Sequence, residues 1–252
     1  MLNQFSRTEL LLGKEAMEIL NKAHIAVFGV GGVGSYTVEA LVRSGIQHID
    51  IIDNDTVSLT NLNRQIIATH STIGKYKVDV MKDRILDINP SAEVNVHKCF
   101  YLPEIRDLFD FTKYDYVVDA VDTVTAKINL ILQAKEAGTK IICSMGAGNK
   151  MDPTQFQVAD ISQTTVCPLA RVMRQECKKR KIKNVKVVFS TEKVLRPIEA
   201  IQPEKSSADN RSTVRRDIPG STAFVPSVAG LIIASEIIKD LTGEATARAR
   251  SL

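Results

Sequence analysis

The sequence predicts an α/β fold of Rossmann-like type, a mostly parallel sheet flanked by helices. Three observations predict it. Apolar runs of strand length recur at residues 24–29, 48–53, 93–99, 115–120 and 139–144. Stretches of helical periodicity separate these runs, and parallel strands need such crossovers. A glycine-rich segment, residues 29–34, follows the first run and precedes a helical pattern, which is where such folds turn from strand to helix.

Ahead of the first strand, Leu10, Leu11, Met17, Ile19 and Leu20 have the spacing of a short amphipathic helix or helix pair. Crossover helices are expected over residues 33–44, 75–88 and 124–137, with Gly45 and Gly138 where C-terminal caps belong. After the fifth run the pattern changes to a strand over 155–161, a basic helix over 169–180 and a strand over 185–190, either a second region or a continuation of the sheet. Residues 196–220 are rich in Pro, Ser, Asp and Arg and read as a long loop of the kind that serves as a lid. Pro226 then opens a last helix, 227–241, ended by Gly243 and followed by a basic tail with Arg248 and Arg250.

The bulk numbers exclude more than they select. With 252 residues, 44% apolar and 25% charged, the chain is an ordinary globular protein, neither disordered nor fibrous. A net charge of +4 is compatible with a polyanionic partner and equally with many enzymes. Cys99, Cys143, Cys167 and Cys177 form no C-x-x-C pair, which argues against a disulfide framework and a zinc site and favours a reducing, cytoplasmic setting. Glu9, Glu15 and Glu18 interrupt the first 22 residues, unlike a signal peptide. Residues 223–238 contain Pro226 and Glu236 and fall short of the ~18 apolar residues of a membrane span, so a buried helix is expected there.

Gly29, Gly31, Gly32 and Gly34 form the pattern G-x-G-G-x-G, which lets phosphates approach the backbone at a helix N-terminus. Asp53 ends the second strand, where a carboxylate can accept from ribose hydroxyls. To this point NAD and ATP fit equally. Arg64 and Lys77 separate them, because a triphosphate and its departing pyrophosphate call for cationic clamps. Taken singly, each also reads as a solvated surface cation. Asp55 reads as a local turn cap or a sharer of the ribose edge. Asp119 and Asp122 stand at the end of the fourth strand, the edge at which such sheets bind ligands. Asp122 fits a magnesium ligand and fits equally an N-cap for the following helix.

In order along the chain stand the glycine motif, the segment from Asp53 through Asn61 and Arg64 to Gln65, then Gly74-Lys75-Tyr76-Lys77-Val78, then Asp119-Ala120-Val121-Asp122. This series resembles the ubiquitin-activating-like adenylating family that includes ThiF, MoeB and HesA. The motif from Ser144 to Thr154 and the run from Cys167 to Arg174 are similar to the branch that dehydrates threonylcarbamoyladenosine in tRNA. The resemblance implies a single adenylation domain over residues 1–252, with a nucleotide-binding half, 1–150, and a substrate half, 151–252. It implies that ATP activates the threonylcarbamoyl carboxylate, which then cyclises. It assigns the ribose to Asp53, the phosphates to Asn61 and Arg64, the pyrophosphate to Lys77 and magnesium to Asp122. Arg7 resembles the arginine that family dimers lend to the neighbouring subunit, implying a homodimer; by itself it reads equally as a surface cation. A monovalent cation and a cysteine-desulfurase sulfur-relay partner are further implications.

Cys143 and Cys99 read as buried small hydrophobes. Cys167 lies at an expected helix N-terminus, where a thiolate would be stabilised, but no base is identifiable beside it. The segment from Lys178 to Lys183, with Arg171 and Arg174, reads as a surface for tRNA phosphates or as a solvated helix end, and the resemblance favours tRNA. Arg211, Arg215 and Arg216 in the long loop could close over the same substrate. The alternatives are an enzyme that adenylates a small sulfur-carrier protein, an NAD-dependent oxidoreductase, and a non-catalytic nucleotide-binding scaffold.

Overall fold

The computed structural model describes residues 2–198 and 219–251. Its centre is a seven-stranded sheet of β1 (His24–Phe28), β2 (His48–Ile52), β3 (Glu93–His97), β4 (Tyr116–Asp119), β5 (Lys140–Ser144), β6 (Phe156–Asp160) and β7 (Lys186–Ser190). The spatial order is β3-β2-β1-β4-β5-β7-β6, and every pairing is parallel except β6 with β7. The 155–161 and 185–190 segments therefore continue the sheet, with β6 as its antiparallel edge. In β1, β2 and β4 nearly every residue is buried, as expected of strands covered on both faces.

Successive strand residues point to opposite faces and so feed two cores. Ile25 and Val27 of β1 join one, and Ala26 and Phe28 join the other. Helices α1 (Ser6–Leu12), α2 (Lys14–Lys22), α3 (Gly34–Arg43), α4 (Lys77–Ile88) and the long α7 (Phe224–Arg250) contribute to the first core. The second lies beneath α5 (Val124–Ala137) and α6 (Pro168–Lys179).

The expected helices form with small shifts. Helix α4 starts at Lys77 rather than residue 75, because Gly74 adopts φ +84° and Tyr76 bridges to Thr56. The last helix departs further from expectation. It runs through Gly243 to Arg250, so Arg248 and Arg250 belong to its final turns and not to a tail. An interior glycine costs about 1 kcal/mol, a penalty that tertiary packing offsets here. Ala245 is buried, and Thr246 Oγ1 donates to the Leu12 carbonyl at 3.3 Å. Near its start α7 crosses α3 at Gly230, where a Cβ would lie 2.4 Å from the Val33 carbonyl oxygen.

The loop expected at 196–220 falls largely outside the described residues, and Arg211, Arg215 and Arg216 lie there with it. Among the described residues no helix is long and apolar enough to cross a membrane.

Candidate active site

The glycine segment leaves the end of β1 and enters α3 beside β4. Gly29 has φ +92°, and a Cβ on Gly34 would stand 1.8 Å from the Gly29 carbonyl oxygen, so the turn closes only with glycine at both positions. Helix α3 opens without a side-chain cap, which leaves its N-terminal amides suited to an anion. Gly32 faces Pro226 of α7 and the Arg64 side chain, whose Cγ lies 3.5 Å from the position of a Cβ on Gly32.

Asp53 ties the end of β2 to this loop. Its carboxylate accepts from the Val30 amide at 2.7 Å and the Asp55 amide at 2.9 Å. A carboxylate offers about four lone-pair sites, so acceptor capacity remains for a ribose. Lys77 is almost wholly buried, and its Nζ lies 2.6 Å from Asp55 Oδ2. Asp55 is thus the counter-ion of Lys77. Local pairing sets up this contact, with the Val57 amide donating to the Lys75 carbonyl at 2.9 Å and the Lys77 amide to the Asp55 carbonyl at 3.0 Å.

Asn61 and Arg64 sit on the intervening loop. Asn61 is buried, and its Oδ1 accepts from the Ser58 amide at 3.1 Å, holding the short turn Leu59–Asn61. Arg64 donates from Nη1 to the Thr60 carbonyl at 2.8 Å and to Asn63 Oδ1 at 2.9 Å. Burial pushes its pKa down, and a guanidinium stays charged all the same. Gln65, not singled out from sequence, is buried beneath Gly31, and its Oε1 has no hydrogen-bond partner among the described residues.

The two aspartates at the end of β4 divide into different roles. Asp119 is fully buried and paired with Lys127 of α5, whose Nζ is 3.0 Å from each carboxylate oxygen and 2.7 Å from the Ser144 carbonyl. Burial raises the Asp119 pKa, against the pull of Lys127. Asp122 is exposed and accepts from Thr123 Oγ1 at 3.3 Å. The alternative of an N-cap is not realised, because Thr123 occupies that position and makes no side-chain cap bond. A free carboxylate at a strand's C-terminal edge suits a cation shared with phosphate oxygens.

Beside Asp122 opens a cavity of about 360 Å³ whose walls include Met145, Gly146, Lys150, Cys167 and Leu169. Cys167 is buried at the N-terminus of α6. Cys143 is buried in the sheet and Cys99 half-buried, and burial pushes both thiols up. Lys150, like Gln65, has no role assigned from the sequence, although it lies within the Ser144–Thr154 motif. It is buried, its Nζ donates to the Glu192 carbonyl at 2.6 Å, and no carboxylate pairs with it among the described residues. Its position just after β5, at the ligand-binding edge, is the signal that could have found it.

Arg7 is not part of this cluster within one chain. It is exposed on α1 with Leu10 and Leu11. Gly32 meets Pro226 near the start of α7, and Gly13, just after α1, meets Ala249 near its end, about 35 Å apart along the helix axis.

A glycine loop on a helix N-terminus, cations beside it and an exposed carboxylate at the sheet edge fit a nucleotide-binding protein of the carboxylate-adenylating class. The chain belongs to the ThiF family, whose model matches residues 5–251. It is 47% identical over 242 residues to the tRNA threonylcarbamoyladenosine dehydratase of Bacillus subtilis, covering 96% of this chain and 95% of that one. It is 36% identical over 253 residues to the Escherichia coli enzyme of the same name, covering 96% and 94%. The crystal structure of E. coli TcdA in complex with ATP superposes with a TM-score of 0.84 at 35% identity, covering 96% of this chain and 95% of that chain.

Proposed function

We propose that this chain is an ATP-dependent tRNA threonylcarbamoyladenosine dehydratase, working in the cytoplasm. The observation that carries this reading is the grouping of the glycine loop, Arg64 and the Asp55–Lys77 pair at one end of the sheet, in a chain that aligns with the B. subtilis dehydratase over 96% of its length. Residues 1–150 form the nucleotide-binding half and residues 151–252 the substrate and tRNA half, with both halves lining the cavity beside Asp122.

The substrate carboxylate is ionised at neutral pH and needs no general base. Its oxygen attacks the α-phosphorus of ATP, and pyrophosphate leaves with the bonding pair. An internal nucleophile of the threonylcarbamoyl group then attacks the activated carbonyl carbon, and AMP departs. The sum is cyclisation with loss of water. Because the second nucleophile belongs to the substrate, no enzyme thiol is required, Cys167 included.

The free lone pairs of Asp53 take the ribose. The amides at the start of α3, with Asn61 and Arg64, hold the phosphates. Lys77 exchanges Asp55 for the charge that develops on the leaving pyrophosphate. Asp122 fits a magnesium ligand, being an exposed carboxylate with no cation paired to it among the described residues. When bound, magnesium supplies further neutralisation of phosphate charge. Lys150 and the start of α6 line the space for the threonylcarbamoyl arm. Arg7, anchored far from its own glycine loop, serves the site of a second copy, and exposed Leu10 and Leu11 give the homodimer an apolar contact. A monovalent cation and a cysteine-desulfurase relay protein complete the proposed set of partners.

ATP–pyrophosphate exchange tests the proposal. Exchange that depends on threonylcarbamoylated tRNA, and is absent with unmodified tRNA, is the expected result. Exchange driven instead by a small sulfur-carrier protein would overturn it.

A further inference from the structure

A second cavity, of about 690 Å³, lies along the C-terminal half of α6, away from the glycine loop. Arg174 and Lys178 of α6 line it, as do Lys181 and Lys183 of the turn that follows. The cations of this region fall into two sets. Lys179 and Arg180 both pair with Glu176. Lys178, Lys181 and Lys183 are exposed, and among the described residues no carboxylate pairs with any of them. Asp160 is the acid in the lining, and its oxygens are taken by the Ser162 amide at 2.9 Å and the Val185 amide at 2.8 Å. Arg174 is held from below by the Thr164 carbonyl at 2.6 Å. Ile161 and Ile182 add apolar wall. The amide bonds to Asp160 leave it ionised, so among the described residues the groove sets four cations against one carboxylate and is net positive over a partly apolar floor, which matches a sugar-phosphate chain.

Helix α6 links this groove to the active site. Leu169 in its first turn lines the cavity beside Asp122, and Lys178 near its end lines the groove. The separation along the axis is about 14 Å. That spans about four stacked nucleotides at ~3.4 Å per step. We propose that the groove of Arg174, Lys178, Lys181 and Lys183 is a second RNA-binding site, which grips the tRNA backbone a few nucleotides from the adenosine under modification. The inference rests on the dehydratase reading. It divides the work on tRNA between a chemical site and a separate phosphate grip joined by one rigid helix.

The test is binding of threonylcarbamoylated tRNA to the full chain, followed by fluorescence anisotropy across a salt series. The triple variant Lys178→Gln, Lys181→Asn, Lys183→Gln removes the unpaired cations; asparagine suits Lys181 because that residue has φ +57°. The expected result is binding weaker by roughly tenfold or more, with the slope of log affinity against log salt flatter by about two to three. The double variant Lys179→Gln, Arg180→Gln, which removes the two cations that share Glu176 outside the groove lining, should weaken binding less than the triple variant does. ATP titration of the triple variant reports whether its fold is intact. Should that variant misfold, the single exposed change Lys183→Glu is expected to flatten the slope by about one or more.

Unchanged affinity and slope in a folded triple variant, while the parent chain binds and converts tRNA, would overturn the groove and leave the function standing. A parent chain that neither binds nor converts tRNA would overturn the dehydratase reading itself, and the groove with it.

Discussion

The Nζ of Lys127 stands 3.0 Å from each carboxylate oxygen of Asp119, and neither side chain reaches solvent. This pair joins the end of β4 to α5 and, through the Ser144 carbonyl, to β5. Removing one partner leaves a buried charge uncompensated. Lys127→Met is expected to cost about 3–5 kcal/mol in urea unfolding, and the double change Asp119→Leu, Lys127→Met to recover much of that loss. Equal losses in the single and double variants would show that the pair is not coupled.

In the proposed mechanism Arg64 and Asp122 serve chemistry rather than stability. Arg64→Ala and Asp122→Ala should each lower turnover by about 10²–10³-fold. Circular dichroism and the thermal midpoint should stay near those of the parent. Full activity in either variant would remove that residue from the proposed machinery.

Acid should act on the protein through Asp50. Burial pushes this carboxyl up, but hydrogen bonds from His24, His97, Asn95 and Tyr114 outweigh it and hold the group far below the usual carboxylate range. A folded pKa below the unfolded one stabilises the fold above the unfolded value and loses that contribution as pH falls. Asp50→Asn should therefore lower the thermal midpoint at pH 7, and the gap to the parent should narrow below about pH 4. A gap that does not vary with pH would refute the assignment.

Gly243 lies exposed inside α7, and among the described residues nothing stands within 4 Å of the position a Cβ would take. Gly243→Ala should stabilise the protein by about 1 kcal/mol and raise the midpoint by about 2–4 °C. A lower midpoint would mean that the helix needs the glycine for a reason its local geometry does not reveal.

The order of strands and helices, the glycine loop and the candidate ligand edge at the end of β4 are legible in the sequence. Those features are local: a run of apolar residues, a helical period and a glycine turn are each written within about twenty residues. The family is legible as well, because several motifs occur in a set order. Packing, by contrast, determines which of two nearby aspartates is a buried counter-ion and which is exposed with no cation paired to it among the described residues. The chain spacing of Asp119 and Asp122 is the same whether or not Lys127 reaches one of them. The pairing of Lys77 with Asp55, the placing of Lys150 in the cavity wall and the passage of α7 through Gly243 were likewise settled by packing. So was the division of basic residues around α6 into those that share Glu176 and those with no carboxylate paired to them among the described residues. Each depends on burial and on partners distant in the chain or turned to one face, and free energies of that kind override the local preferences that a sequence pattern reports.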